Sequence, residues 1–277
     1  MDLVYDIVRV EERLIEKALS EWASVRRVNV SRVPLPLGGS WEADVAVIRP
    51  VSMYRAVYSA AAYESGGVET VNRSETILLA GDKLLAYSRL IASKLPVPRS
   101  YYAEGVEAAV EAGDRLGYPA VAKPTVGSWG RMVARVRSRE KMEQLARLRS
   151  AMPCSQQRAL IVQEYIETGA RDIRCIVVDG SLLGCMARRA RGGEWRSNVA
   201  LGAGVERVSV DEQLAETAVR AAAALGGFFV SIDLFETRDG YLVNEVNGVP
   251  EFKGFMRATG VNPALELSRA LRRLAKR

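Results

Sequence analysis

The stretch VNEVNGVPEFKGF, residues 243–255, begins as a buried β-strand but carries the wrong residues for one. Val243 and Val246 favour a strand, yet Glu245 and Asn247 stand two positions apart, so both side chains leave the same face. Burying a carboxylate without a partner is costly, so something charged is expected against that face. Upstream, FFVSIDLFET (228–237) is a second apolar strand, and Arg238-Asp239-Gly240 between the two is hairpin chemistry. In such a hairpin Asp233 falls near Glu245 and Asn247. Three oxygen donors of this kind suit Mg²⁺, which takes one or two carboxylates together with phosphate oxygens. The spacing alone suits an ordinary hairpin with polar residues in water equally well.

The rest of the chain narrows the chemistry. Its 277 residues, 48% hydrophobic and 26% charged, have the balance of a soluble globular protein and fit one large domain or two to three smaller ones. No apolar run approaches the roughly 18 residues of a membrane span. The N-terminus MDLVYDIVRVEERL carries acids where a secretory signal needs a basic segment, so a cytoplasmic location is expected. Cys154, Cys175 and Cys185 form no metal-like pair and are expected to be reduced, buried thiols. Histidine is absent, which excludes a Ser-His-Asp hydrolase, a His-ligated zinc and a His general base. A net charge of +6 suits an acidic substrate or partner. The arginines are dispersed without an aromatic platform, so nucleic acid is a weak reading, and no membrane partner is expected either.

Residues 1–76 alternate strand and helix, which predicts a small α/β domain with a mainly parallel sheet. A single helix is expected from about Thr76 to Leu95, stopped by PVP (96–98). RDIRCIVVDGSLLGCMARRA (171–190) reads as two strands joined at Asp179-Gly180. Lys123 ends an apolar strand shortly before GSWGR (127–131), a small-residue loop whose backbone N–H groups can approach phosphates. In QEYIE (163–167), Glu164 and the backbone of Tyr165 and Ile166 can read an adenine edge. Arg174, Arg188, Arg189 and Arg196 can clamp phosphoryl oxygens. Each segment alone is also compatible with a plain turn, a strand exit or a solvated basic face.

Taken in order, GDK, PAVAKP, GSWGR, QEYIE, RDIR, RR, RSN, DLFE, NEVN and EFK resemble the ATP-grasp fold, and within it the RimK/LysX-type carboxylate–amine ligases. The resemblance covers nearly the whole chain and is tight from about residue 72 to 262. It implies an α/β and α+β protein with a Rossmann-like pre-ATP-grasp domain (1–76), a central lobe (77–160) and a C-terminal lobe (161–277). It also implies ATP and Mg²⁺. Carried over by position, Lys83 and Lys123 are the phosphate lysines, with Gly127, Ser128, Trp129 and Gly130 the loop beside them. Glu164, Tyr165 and Ile166 form the adenine hinge, and Asp172 lies on the ribose side. Arg196, Ser197 and Asn198 are a further nucleotide segment. Asp233, Glu245 and Asn247 are the metal ligands, and Arg188 is the catalytic charge stabiliser. In such enzymes ATP phosphorylates a carboxylate and an amine displaces phosphate from the acylphosphate, work that positioning and electrostatics perform without histidine.

Within that family the chain is most similar to the LysX and ArgX ligases, which join an amino acid's α-amino group to the C-terminal glutamate side chain of a small acidic amino-group carrier protein. The amino acid is α-aminoadipate or glutamate. Gly254-Phe255 stands where aminoadipate-specific members tend to have Asn-Ser or Asn-Thr, so glutamate is expected, with Lys253 and Arg257 to hold its carboxylates. Leu201 replaces the arginine expected after the Arg-rich loop. A homo-oligomer is also expected. The alternatives are a RimK-like ligase adding glutamate to a ribosomal protein or another peptide C-terminus, and a nucleotide-binding regulator without ligase activity.

Overall fold

The computed structural model describes residues 1–127, 129–190 and 204–275. Its first sheet contains β1 (Asp2–Tyr5), β2 (Arg26–Asn29), β3 (Val45–Ile48) and β4 (Glu69–Val71), all parallel in the order β2-β1-β3-β4. β3 is an unbroken apolar run because both faces of a parallel sheet are covered. Helices α1 (Val10–Leu19) and α2 (Met53–Ser65) make the crossovers that parallel strands require. The chain leaves β1 for β2 on one side and returns to β3 on the other. The loops after β1 and β3 therefore part at a crevice outside the carboxyl ends of the strands.

A helix was expected from about Thr76 to Leu95; the chain instead forms α3 (Ser74–Gly81) and α4 (Lys83–Ala92). Asp82 breaks them. Its backbone is extended and bridges to Val126, while its carboxylate caps α4 by accepting from the N–H of Leu84 at 2.9 Å and of Leu85 at 3.2 Å. This break places Lys83 at a helix N-terminus, pinned by its own N–H to Thr125 O at 2.8 Å.

The second sheet is antiparallel and has the order β5-β8-β6-β7, from β5 (Ser100–Ala103), β6 (Ala120–Pro124), β7 (Ala134–Val136) and β8 (Leu160–Glu164). α5 (Val106–Leu116) and α6 (Arg139–Ser150) cover it, and the short α7 (Ser155–Arg158) leads into β8. The third sheet, order β11-β10-β9-β12-β13, holds β9 (Arg171–Val178), β10 (Ser181–Arg189), β11 (Gly204–Val208), β12 (Phe229–Thr237) and β13 (Gly240–Asn247). Side-chain alternation along β9 sends Ile173 and Val177 toward α4 and α8 (Glu212–Ala224). Ile176 and Val178 face α9 (Lys253–Thr259) and α10 (Pro263–Leu274). Two-sided burial explains why RDIRCIVV is so apolar for an antiparallel strand.

The sheets are tied together through β13 and the loop that follows it. Asn72, beyond β4, accepts from the N–H of Phe228 and Phe229 at 2.9 Å each and donates to Gly248 O at 2.7 Å. Gly248 leaves little room for a side chain, since a Cβ there would meet Ile77 Cα at 3.1 Å. Glu11 of α1 accepts from the N–H of Phe252 and Lys253, both at 3.1 Å, and so caps α9 from another domain's helix. Among the described residues no helix is long and apolar enough to cross a membrane.

The cysteines differ from expectation. Cys175 and Cys185 lie directly opposite on β9 and β10, with Cα atoms 4.1 Å apart, and form a disulfide; Cys154 is exposed. Facing positions of an antiparallel pair bring side chains into bonding range, which linear spacing does not reveal. In denaturant without reductant, a thiol reagent should titrate one cysteine per chain, Cys154. Three reactive thiols under those conditions would rule the bridge out.

Candidate active site

Two adjoining cavities lie where the three sheets meet. The first holds two buried lysines. Lys83, opening α4, donates from Nζ to Gly127 O at 2.7 Å and pairs with Glu245 at 3.2 Å. Lys123, near the end of β6, donates from Nζ to Asn244 Oδ1 at 2.8 Å. Burial pushes the Lys123 ammonium down to about 7; Glu245 opposes that shift and Lys83 reinforces it. Neighbouring buried cations with one carboxylate between them form a site that favours a polyanion.

Gly127, Trp129 and Gly130 line this cavity, with the Arg131 guanidinium 4.8 Å from the Trp129 ring centroid. At the end of β8, Glu164, Tyr165 and Ile166 form the far edge over an apolar bed of Val121, Val133 and Phe235. The Glu164 carboxylate is engaged by Arg99, from its N–H at 2.7 Å and its Nε at 2.8 Å. This leaves the hinge backbone as the group suited to reading a heterocycle edge.

A network of four charged side chains crosses β12, β9 and β10. Arg174 grips Asp233 through Nε at 2.7 Å and Nη2 at 2.8 Å. Arg188, only 3% exposed, donates to Asp172 through Nε at 2.7 Å and to Asp233 through Nη2 at 2.8 Å. The pairing follows register, since Arg188 faces Asp172 and Asp233 faces Arg174 on adjacent strands. Burial would raise the Asp233 carboxyl, but Arg174 and Arg188 outweigh it and hold Asp233 at about 2. Burial also opposes the Arg188 charge, and the two aspartates more than offset that.

The three expected metal ligands come together. Asp233 faces Glu245 and Ser231 faces Asn247 across the β12–β13 ladder. Asp233 opens on the first cavity, Asn247 on the second and Glu245 on both. Asn247 Nδ2 and Ser231 Oγ are buried without a hydrogen-bond partner. The orphaned Asn247 atom is the amide nitrogen, a donor that does not ligate a cation, and both Asp233 oxygens are held by Arg174 and Arg188. Asp233 would therefore have to give up an arginine contact to join Glu245 and the Asn247 amide oxygen around a hard divalent cation.

The second cavity lies at the crevice between β1 and β3. Arg9 and Val51–Tyr54 line it from the first sheet, and Arg174, Arg188, Asn247 and Glu251 from the third-sheet side. Arg188, Glu245, Gly127 and Trp129 border both cavities, so the charged network is the partition between them.

Not every expected residue is brought here. Lys253, Gly254, Phe255 and Arg257 line neither cavity. Phe255 is fully buried in the core that α9 and α10 form against the third sheet, facing Gly184, while Lys253 and Arg257 are exposed. A ring in that position fills core and does not shorten either cavity. Ser128, Arg196, Ser197, Asn198 and Leu201 lie outside the described residues. Asn244 was not anticipated. Strict alternation would turn it away from Glu245, but a bulge opposite Asp233 and Leu234 inserts it as an extra residue and brings it to Lys123. Arg9 and Glu251 were also missed as a pair, being joined at 3.1 Å across 242 residues of sequence.

Family models match the whole architecture: a LysX preATP-grasp domain over residues 1–79 and a RimK-like ATP-grasp domain over 80–271. The chain is 48% identical over 268 residues to the glutamate–LysW ligase ArgX of Sulfurisphaera tokodaii, covering 96% of this chain and 95% of that protein. It is 31% identical to the α-aminoadipate–LysW ligase LysX of the same organism, covering 100% and 99%. Among solved structures, a RimK domain ATP-grasp protein of Sphaerobacter thermophilus superposes with a TM-score of 0.76 at 26% identity, covering 98% of this chain and 100% of that one.

The partition makes a stability prediction. Arg188→Ala leaves Asp172 and Asp233 buried with one partner removed from each, and should cost about 3–5 kcal/mol in denaturant unfolding. A loss below about 1 kcal/mol would mean that the two aspartates are not held by Arg188.

Proposed function

The chain belongs to the RimK-like ATP-grasp family of C–N bond-forming ligases, and from that premise we propose that it joins the α-amino group of glutamate to the C-terminal glutamate side chain of a small acidic carrier protein of the LysW type. The observation that carries this reading is the 48% identity, sustained over 96% of the chain, to a glutamate–LysW ligase. The adjoining cavities, one built around buried lysines and one lined by arginines, support it.

In this account ATP occupies the first cavity. The hinge at Glu164–Ile166 meets the adenine, and Lys83, Lys123, Gly127, Trp129 and Gly130 meet the phosphates. Asp233, Glu245 and the Asn247 amide oxygen would hold Mg²⁺, which when bound neutralises phosphate charge. The carrier's terminal glutamate enters the second cavity. Its side-chain carboxylate oxygen attacks the γ-phosphorus, ADP leaves, and an acylphosphate forms beside Arg188. The amine nitrogen then attacks the acyl carbon, phosphate leaves with the C–O bond electrons, and the amine loses a proton. Arg188 borders both cavities and is placed to stabilise the charge that develops at each stage. The chain's +6 charge favours encounter with an acidic carrier.

With purified carrier, ATP and Mg²⁺, ADP release should require both carrier and amino acid and should favour glutamate over α-aminoadipate. The margin is expected to be modest, since one methylene is worth about 1–3 kcal/mol. Release that favours α-aminoadipate would overturn the choice of amine, and release with unrelated peptides ending in glutamate but not with the carrier would overturn the partner. Raising ionic strength should depress kcat/KM for the carrier more steeply than for ATP. Glu245→Gln should abolish ADP formation in a folded protein, whereas wild-type turnover at limiting Mg²⁺ would remove Glu245 from the metal set.

A further inference from the structure

The second cavity has a cation that the reaction as described does not use. Among the described residues the cations lining it are Arg9, Arg174 and Arg188. Arg174 and Arg188 are committed to Asp233 and Asp172. Arg9 stands at the end of the β1–α1 loop, beside the crevice where the strand order reverses in the first sheet. Open α/β sheets bind their ligands at that place.

The side chain of Arg9 is preset. Its Nε and Nη2 hold the Glu12 carboxylate at 3.1 and 2.7 Å, its Nη2 also reaches Arg49 O at 3.3 Å, and its own N–H returns to Glu12 at 2.7 Å. Glu12 is 1% exposed and is shared with the buried Arg49, so this side of the guanidinium is locked. The remaining nitrogen, Nη1, meets only Glu251, at 3.1 Å. Arg9 is 18% exposed and Glu251 is 37% exposed. Glu251 is the more exposed partner, and water competes for it, so Glu251 can yield the guanidinium to a carboxylate enclosed in the cavity.

We propose that Arg9 binds the side-chain carboxylate of the amino-acid substrate and sets the preference for a dicarboxylic amine. This rests on the ligase reading above and extends it to the first sheet, whose crevice becomes a wall of the amine pocket. The α-amino group must face the acyl carbon beside Arg188. Arg9 is the cation on the β1–β3 wall, where the far end of a short diacid extends. Arg9 is therefore a substrate-binding residue, and Glu12 and Arg49 position it.

The test compares glutamate with glutamine, which replaces the side-chain carboxylate by a neutral amide of the same size. Both are assayed as amines with saturating carrier and ATP. In Arg9→Gln, the glutamate-to-glutamine ratio of kcat/KM should fall about 10- to 100-fold, the range of a lost charge-assisted contact. The effect should appear mainly in the KM for glutamate, with KM for ATP little changed. Arg9→Lys keeps a cation against Glu12 and so protects the fold; its ratio should lie between wild type and Arg9→Gln. Equal losses for glutamate and glutamine in both variants would overturn the proposal and leave Arg9 a structural residue. A wild-type protein inactive with carrier and every amine would instead overturn the ligase reading, and this inference with it.

Discussion

Asp233 carries a charge in the middle of an apolar sheet, and everything around it follows from compensating that charge. Two arginines on neighbouring strands supply the compensation, and one of them is itself 3% exposed and needs a second aspartate. A buried pair of this kind gains little net stability, and breaking it is expensive. Its value lies in position. It fixes Arg188 on the boundary between a cavity suited to polyphosphate and a cavity suited to carboxylates. Phosphoryl transfer between two anions is helped by fixed positive charge at that boundary.

The same boundary depends on the first sheet being held in place. The loop after β13 is tied to that sheet's domain through Asn72, Glu11, Arg49 and Arg9, all polar contacts made by buried or half-buried groups. Arg49, 1% exposed, donates to Pro250 O at 2.9 Å and to Glu12 at 3.1 Å. These ties answer the question raised by residues 243–255. Glu245 faces a lysine, Gly248 makes room for α3, Glu251 meets Arg9, and the amides of Phe252 and Lys253 meet Glu11. The stretch is the seam between domains as well as the edge of the site.

The legible parts of the fold were those set by short-range pattern. Alternation and the turn at Arg238-Asp239-Gly240 brought Asp233 opposite Glu245, and βα alternation gave the parallel first sheet. The order of short motifs carried the family and the two lysines. What stayed hidden depends on long-range geometry. The bulge that admits Asn244 breaks the alternation the reading relied on. The helix break at Asp82 lies inside a continuous apolar pattern and arises from a cap and a bridge to Val126. Phe255 was read as a pocket residue because Gly254-Phe255 stands where aminoadipate-specific relatives tend to have Asn-Ser or Asn-Thr, but α9 turns its ring into the core. Arg9 and Glu251 are 242 residues apart, and no local pattern links them.

The central claim is that a carboxylate in the second cavity takes the γ-phosphoryl group of ATP from the first. Isotope transfer tests it directly. A carrier with ¹⁸O in both side-chain carboxylate oxygens of its terminal glutamate is turned over with ATP and the amine, and the released phosphate is examined by mass spectrometry. The account predicts one ¹⁸O in each phosphate, because the oxygen that attacks phosphorus leaves with it when the amide forms. Amide formation with unlabelled phosphate, or with the label in AMP, would contradict it.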